Sequence, residues 1–292
     1  MLKQKFFPYL ALGMGIIALS FSALFAKWAN APGPVMAFYR IGLATLILAP
    51  AFLRRRKKLS KVWDKRILLF PLLGGVFTAL DHAVWNSALR FTSAANTTLL
   101  GNTSSLWVAL VAWLVFRERL KSMFWMGLGF SLAGAVVVLG SDFSRQVSFG
   151  IGDLLALSAG VFYAGYLLVT QRARQHLDTL SYIWMGGLIS SLILLLVSLA
   201  LKMPLSGYPA RSYLAFLGAA LVSHVGGYLS IGYALGHLPA SVVSPTLIAQ
   251  PVLTALLAIP LLGETLRTEQ WLGGLSVLAG IYLVHRSRSP VD

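Results

Sequence analysis

The chain has 292 residues, of which 57% are hydrophobic and 11% are charged, whereas a soluble domain carries about a quarter charged residues. This composition excludes an ordinary soluble domain and places the chain in a lipid bilayer. The net charge of +15 comes mainly from short connections between apolar segments, which favours membrane orientation and contact with anionic lipid over nucleic-acid binding, and the absence of cysteine excludes disulfides and thiol chemistry.

Ten apolar segments follow one another along the chain, each of about the 20 residues that a transmembrane helix requires. The connections between them are short, and no soluble domain fits in any of them. We therefore predict an all-α integral membrane protein with ten transmembrane helices. The predicted segments are 8–28, 34–53, 67–89, 94–115, 122–140, 150–171, 179–201, 210–233, 240–261 and 268–285.

The lysines and arginines predict the orientation of these segments. With the N-terminus inside, 17 of them fall on the inner side and six on the outer side. Because positive residues concentrate in cytoplasmic connections, both termini are predicted to be cytoplasmic, in a multi-pass protein of the cell inner (plasma) membrane.

Charged and amide side chains occur inside the second, third and fourth segments. At about 1.5 Å of rise per residue, Arg40 lies about 9 Å below the outer boundary, and Asp81 and Asn102 lie about 12 Å below it. A charge at the centre of a membrane helix costs about 2.5–3.5 kcal/mol on insertion scales. We expect Arg40 and Asp81 to form an ion pair that Asn102 helps to solvate. The pair is either a permanent brace or one in which Asp81 exchanges Arg40 for a proton or a substrate amine.

Two further candidates, His82 and Trp85, follow Asp81 on the third segment. His82 lies about 100° round the helix from Asp81, so the two side chains are expected to point in different directions. It is either hydrogen-bonded within the bundle or in contact with a proton or substrate. Trp85 lies one turn after Asp81 on the same face, where its ring can pack or contact a substrate ammonium group. The lone His224 of the eighth segment is expected to be a packed, satisfied histidine.

The fourth and sixth segments carry the remaining polar and aromatic candidates. In the fourth, Asn102 and its neighbours make a polar face that either bonds across helices or lines a wet cavity. Trp107 follows on the same segment, and Tyr163 and Tyr166 lie in the middle of the sixth. Each of these rings either packs in the bundle or contacts the substrate.

The ninth segment contains two interior prolines, Pro245 and Pro251, beside Gln250 near the midplane. Each proline removes the hydrogen bond to the carbonyl four residues earlier. The helix is therefore either kinked and simply packed, or it is a hinge or broken binding helix.

The two halves of the chain also repeat each other. A shift of 146 residues aligns Glu118 with Glu264 and Gly127 with Gly273, and it superimposes Leu-Ala-Gly at 132–134 on the same residues at 278–280. Each half has five segments, an odd number, so the second half enters the membrane from the opposite side. We predict inverted five-helix repeats at 1–145 and 146–292, an arrangement typical of secondary transporters with a central cavity between the halves.

A doubled pattern connects these halves to a known family. It reads ALRFTSA at 88–94 and FRERL at 116–120, and again ALGHLPA at 234–240 and LGETL at 262–266. The chain resembles the EamA-type transporters of the drug/metabolite transporter superfamily over nearly its whole length. The resemblance implies ten helices, inverted halves and, in many members, export of amino acids or other small metabolites. Arg40 also matches a frequent arginine of the family.

Signatures of other functional classes are absent from the sequence. There is no phosphate-binding G-x-x-x-x-G-K-[ST] loop, no H-E-x-x-H and no nucleophile at a recognisable spacing from a base. We therefore expect no catalytic residue, no cofactor and no metal, and no enzyme activity. The sequence favours a secondary active exporter of a small polar metabolite, such as an amino acid or a relative, with proton coupling left open and a monomer or homodimer as the assembly. An intramembrane enzyme and a facilitative channel are the alternatives.

Overall fold

The computed structural model describes residues 2–55, 65–88, 91–92, 94–139, 150–262 and 266–287. Every regular element in these ranges is helical. The predicted boundary between the two repeats, at 145/146, lies outside the described residues, so those repeat bounds stay a prediction.

Each of the ten predicted segments is helical, and four of them are interrupted. The helices are α1 (Leu2–Ser20), α2 (Ser22–Ala29), α3 (Gly33–Arg55), α4 (Lys65–Ala88), α5 (Ala94–Asn102), α6 (Ser104–Leu114), α7 (Ser122–Leu139), α8 (Ile151–Ala173), α9 (Thr179–Ala200), α10 (Ala210–Gly218), a π-helix (Ala219–Tyr228), α11 (Leu229–Leu235), α12 (Ala240–Leu247), α13 (Ala249–Leu262) and α14 (Thr268–Ser287).

Eight helical stretches of the described chain are long and apolar enough to cross a membrane. The apolar helix at Ser122–Val138 is shorter, and α14 is not among the eight. The all-helical architecture therefore agrees with the sequence, and the number of ten spans and the side on which the termini lie stay predictions.

Contacts divide the chain into two compact units that differ from the predicted repeats. The first unit comprises Met1–Asn86 and Gly165–Pro239, and the second comprises Ser87–Ala164 and Ala240–Asp292. The helix α8 contributes its first part to the second unit and its last part to the first.

In the first unit, α3 packs against α9, and α1 packs against the π-helix and α11. Ile41 of α3 and Leu194 of α9 are fully buried in one apolar cluster. Trp184 of α9 donates its indole N–H to the carbonyl of Thr45 at 3.0 Å and stacks on Phe52 at 4.0 Å. These contacts fix the helix on which Arg40 lies.

Arg174, just beyond the end of α8, ties three parts of the first unit together. Its Nε donates to the carbonyl of Gly232 in α11 at 3.0 Å, and its terminal nitrogen donates to the carbonyl of Leu177. Burial lowers the pKa of the Arg174 guanidinium, while the nearby Asp178 carboxylate opposes that shift. Asp178 is itself the N-cap of α9, where it accepts from the backbone N–H of Ser181 at 3.1 Å.

In the second unit, α7 and α14 cross in antiparallel directions at very short range. A β-carbon at Gly127 would lie 2.6 Å from the carbonyl oxygen of Gly280, and one at Gly134 would lie 2.5 Å from that of Gly273. Only residues without a side chain allow two helix backbones to approach so closely. Because the two backbones are so close, a serine on each helix can reach a carbonyl of the other helix.

Two serine hydroxyls bond across the α7–α14 crossing. Ser131 of α7 donates to the carbonyl of Val277 at 3.4 Å, and Ser276 of α14 donates to the carbonyl of Phe130 at 3.0 Å. Each hydroxyl thus has an acceptor on the opposite backbone, where no water would be available in hydrocarbon.

The crossing predicts a selective effect of small substitutions on α7. Gly127→Ala should lower the free energy of unfolding by about 1–3 kcal/mol, because the new methyl group meets fixed backbone. Gly129→Ala is the matched control, since a β-carbon at Gly129 meets nothing within 4 Å. Thermal unfolding of the purified protein in detergent, followed by tryptophan fluorescence, measures both. Equal unfolding temperatures for the two variants would contradict the crossing.

Candidate solute-binding site

The sequence-predicted site residues divide between the two units. The first unit holds Arg40, Asp81, His82, Trp85 and Tyr166. The second unit holds Asn102, Trp107, Tyr163 and Gln250, together with Pro245 and Pro251. Each unit therefore has its own polar cluster.

Asp81 and His82 contact each other on α4 of the first unit. Asp81 Oδ2 lies 3.2 Å from His82 Nδ1, and the side chains are 14% and 12% exposed. The expectation that these neighbours point in different directions was wrong, because both side chains bend toward each other across the 100° between their positions. The distance is that of an ion pair when His82 is protonated, although its angles do not make a hydrogen bond. The backbone carbonyl of His82 accepts from Asn86 Nδ2 at 2.6 Å.

Arg40 has a different neighbour from the one expected. Its guanidinium carbon lies 5.4 Å from the centroid of the Tyr228 ring, within the range of a cation–π contact. Among the described residues, no carboxylate comes within ion-pair distance of Arg40, and its Nε is buried without a hydrogen-bond partner. The expected Arg40–Asp81 ion pair is therefore not formed in this structure, where Asp81 contacts His82. A role of Asn102 in solvating such a pair stays a prediction.

The π-helix supplies two residues that the sequence did not assign to the site. His224 is 3% exposed and stacks on Tyr228 at 4.6 Å, with 19° between the ring planes. Its Nδ1 is buried and has no hydrogen-bond partner, so His224 is packed as expected but not satisfied. Tyr166 of α8 lies 5.6 Å from the Tyr228 ring. The signal available in the sequence was a histidine in the middle of an apolar segment, two residues before the pair Gly226–Gly227.

A small cavity lies beside this aromatic group within the first unit. The space open to a water-sized sphere is about 10 Å³, the least that holds a single water molecule. The phenol of Tyr182 closes one side, held by a hydrogen bond of 2.9 Å with the hydroxyl of Thr170. The lining residues are Gly74, Thr78, Tyr166, Tyr182, Ile183, Gly186, Gly187, His224 and Tyr228.

Trp85 is half-buried on α4, one turn beyond Asp81. The close approach of α3 and α4 near this point depends on Gly33, because a β-carbon there would lie 2.0 Å from Cβ of Asn86. Contact of Trp85 with a solute stays a prediction.

In the second unit, the predicted fourth segment is broken between α5 and α6. The backbone N–H and the hydroxyl of Thr103 both donate to the carbonyl of Leu100, at 3.2 and 2.5 Å, instead of continuing the α-helical pattern. The side-chain nitrogens of Asn102 and Trp107, on either side of this break, are buried without hydrogen-bond partners. A buried donor left without an acceptor costs about 1–3 kcal/mol, so these two donors are available to an incoming acceptor.

The ninth segment is interrupted at Ile248, between Pro245 and Pro251. Ile248 donates its backbone N–H to the carbonyl of Pro245 at 3.2 Å, three residues back, rather than to Ser244. The Ser244 carbonyl instead accepts the hydroxyl of Ser105 in α6 at 2.8 Å. The break lies between the two prolines, and its use as a hinge stays a prediction.

Gln250 and Tyr163 are both half-buried in the second unit. Gln250 follows the break at Ile248 directly, in the first turn of α13. Tyr163 lies in the part of α8 that belongs to this unit. Both have interactions within the chain, and contact of either with a solute stays a prediction.

The chain belongs to the EamA-like transporter family, whose sequence profile matches residues 7–140 and again residues 150–286. These matches cover nearly all of the chain, so the resemblance found in the sequence is confirmed at the level of the family. Together with the apolar helices, they define a multi-pass membrane transporter.

Individual relatives agree with this assignment. An uncharacterized transporter of Archaeoglobus fulgidus is 28% identical over 256 residues, which is 85% of this chain and 86% of the relative. The uncharacterized transporter YwfM of Bacillus subtilis is 25% identical over 77% of this chain and 78% of its own length. A protein of Salmonella typhimurium named a probable amino-acid metabolite efflux pump is 29% identical over 58% of this chain and 60% of its own length.

The fold also occurs among solved structures. One crystal structure of a protein superimposes with a TM-score of 0.82 over 97% of this chain and 99% of its own, at 18% sequence identity. At this identity, the likeness concerns the fold alone.

The broken fourth segment predicts opposite effects for two polar residues on one face. Asn102→Leu should leave the unfolding temperature unchanged or raise it, because it removes a buried nitrogen that has no partner. Ser105→Ala should lower the free energy of unfolding by about 0.6–1.7 kcal/mol, since it removes the bond to the Ser244 carbonyl. Thermal unfolding in detergent compares the two. A larger loss of stability for Asn102→Leu would show that the amide supports the fold instead.

Proposed function

We propose that the protein is a secondary active transporter that exports a small polar metabolite, such as an amino acid or a relative, by alternating access. The observation that carries this proposal is the pair of broken helices in the second unit. The interruptions fall at Thr103 and Ile248, and a shift of 146 residues brings them to within one position of each other. Discontinuous helices at corresponding positions of two repeats are typical of transporter binding sites.

The α7–α14 crossing supports the inverted repeat that alternating access requires. Under the same shift, Gly127 corresponds to Gly273 and Gly134 to Gly280. The contacts join Gly127 to Gly280 and Gly134 to Gly273, so exchanging the two halves reproduces the same pair of contacts. Two helices related by a two-fold axis in the membrane plane would give this pattern.

The solute class, the direction of transport and the location of the protein are inferred from other observations. The name of the Salmonella typhimurium relative refers to amino-acid metabolites and efflux, which favours an amino acid or a relative leaving the cell. The excess of lysine and arginine on one side favours cytoplasmic termini and the cell inner membrane. No catalytic step is included in the proposal.

Counterflow tests transport directly. The purified protein is reconstituted in liposomes that are loaded with one unlabelled solute. Entry of the same solute in labelled form is then followed. The twenty amino acids, polyamines, sugars and organic acids form the panel. Saturable counterflow of at least one solute is expected. Flux without saturation or counterflow would indicate a channel, and no flux in any arm would contradict the proposal.

Asp81→Asn tests whether the Asp81–His82 pair takes part in proton coupling. We expect this variant to keep counterflow but to lose accumulation driven by an imposed proton gradient, because an amide cannot bind and release the proton. Asp178→Asn is the matched control, since asparagine also caps a helix N-terminus. Gradient-driven uptake equal to that of the unaltered protein would show that Asp81 only braces the fold.

The break at Ile248 gives a further test. Pro245→Ala with Pro251→Ala restores two backbone donors and should straighten the ninth segment. We expect counterflow to slow by about 10-fold or more, since conformational steps set the rate of many such cycles, while the unfolding temperature stays the same or rises. Pro260→Ala, on the exposed far end of α13, is the control and should transport normally. Unchanged transport in the double variant would exclude a hinge here.

A further inference from the structure

We propose that the solute carries a carboxylate and that Arg40, with His224 and Tyr228, forms the subsite that binds it. This inference rests on the proposed transport function and assigns the chemical class of the solute. It also assigns the π-helix a function in solute binding, which neither the family match nor the names of the relatives indicate.

The first observation concerns the charge of Arg40. Its Nε is a buried donor without an acceptor, and within the described residues no carboxylate lies at ion-pair distance from it. Asp81, the carboxylate expected beside Arg40, is instead in contact with His82 at 3.2 Å. An arginine in a membrane segment normally pairs with another group or lines a cavity. The missing partner of Arg40 is therefore an anion.

The second observation concerns the groups next to Arg40. His224 presents a buried Nδ1 without a partner, and it stacks on the same Tyr228 ring that the guanidinium faces. His224 and Tyr228 both lie on a ten-residue π-helix, an element that is rare at this length and that frequently occurs at functional sites. Arg40 and His224 thus each contact the Tyr228 ring, and each offers a buried donor when His224 carries its proton on Nδ1.

The number of charges favours a carboxylate over a phosphate. The titratable and charged groups around this ring are Arg40, Asp81, His82 and His224. Only Arg40 has a permanent positive charge, and a single guanidinium matches a single carboxylate in charge and in its two-pronged geometry. A phosphate dianion would bring a second charge with no cation to balance it. An ammonium group would be repelled by Arg40, and the Asp81 carboxylate that could attract it is already in contact with His82.

The small cavity borders the proposed subsite at His224 and Tyr228. Its space of about 10 Å³ is too small for any amino acid, and the Tyr182 phenol at its wall is held by Thr170. Gly74 permits this closure, because a β-carbon there would lie 2.1 Å from the Tyr182 hydroxyl oxygen. Opening of this wall is required before a carboxylate can enter.

Ligand-induced thermal stabilisation tests the subsite independently of transport. The full-length protein in detergent is heated with each of the twenty amino acids, with the amide and the decarboxylated amine of each, with simple monocarboxylates, and with inorganic phosphate. Saturable stabilisation by at least one carboxylate, and not by its amide or amine, is expected. Stabilisation by amides, amines or phosphate alone, or by no carboxylate at all, would overturn the proposal.

Variants identify the residue that holds the anion. Arg40→Gln should weaken carboxylate binding by about 10- to 100-fold, the loss expected for a charge-assisted hydrogen bond. Arg54→Gln, exposed in the last turn of the same helix, should leave it unchanged. If Arg40→Gln does not fold, Arg40→Lys retains the charge without Nε and should weaken binding less. Unaltered affinity in a folded Arg40 variant would overturn the subsite.

The two proposals fail in different ways. Counterflow of solutes that lack a carboxylate, unaffected by Arg40→Gln, would leave a transporter and remove the carboxylate subsite. Carboxylate binding that depends on Arg40, without counterflow of any solute, would leave the subsite and remove transport.

Discussion

A polar group inside a bilayer has no water with which to form a hydrogen bond. This constraint determines where the chain is helical and where its helices can break. It also determines which side chains can remain without a hydrogen-bond partner. At the break before Ile248, the unused carbonyl of Ser244 is taken by the hydroxyl of Ser105. At the α7–α14 crossing, two serine hydroxyls find carbonyls on the facing backbone. At both of these places, the carbonyls and hydroxyls named here satisfy one another across helices.

Against that background, the unsatisfied donors are informative. Arg40, His224, Asn102 and Trp107 each keep a buried nitrogen without a partner, and each lies near a helix irregularity or at the small cavity of the first unit. Buried polar atoms of folded proteins are nearly always bonded, so an exception calls for an absent water, ion or ligand. A transporter gives such groups a purpose, because an open site must bind its solute and then release it.

Stiff and irregular elements have separate places in the molecule. In the second unit, α7 and α14 are locked by glycines at their crossing, while the two broken segments have lost the continuous hydrogen bonding that makes a helix rigid. In the first unit, the π-helix packs closely on α1, since a β-carbon at Gly227 would lie 2.9 Å from the side chain of Leu19. The π-helix is thus fixed against α1, and it carries Tyr228, which faces Arg40, and His224, which stacks on Tyr228.

The sequence by itself determined the class of the fold, the family and the helical segments, because about 20 apolar residues in a row permit only one structure in hydrocarbon. It also offered a broken helix at Pro245 and Pro251 as one of two alternatives, since each proline removes a backbone donor. Only the tertiary structure decided that Asp81 contacts His82, that Arg40 lies over Tyr228 and that ten residues around His224 form a π-helix. Position along a helix gives depth but not the rotamer or the neighbour, and no residue type specifies a π-helix, so these features depend on which helices pack together.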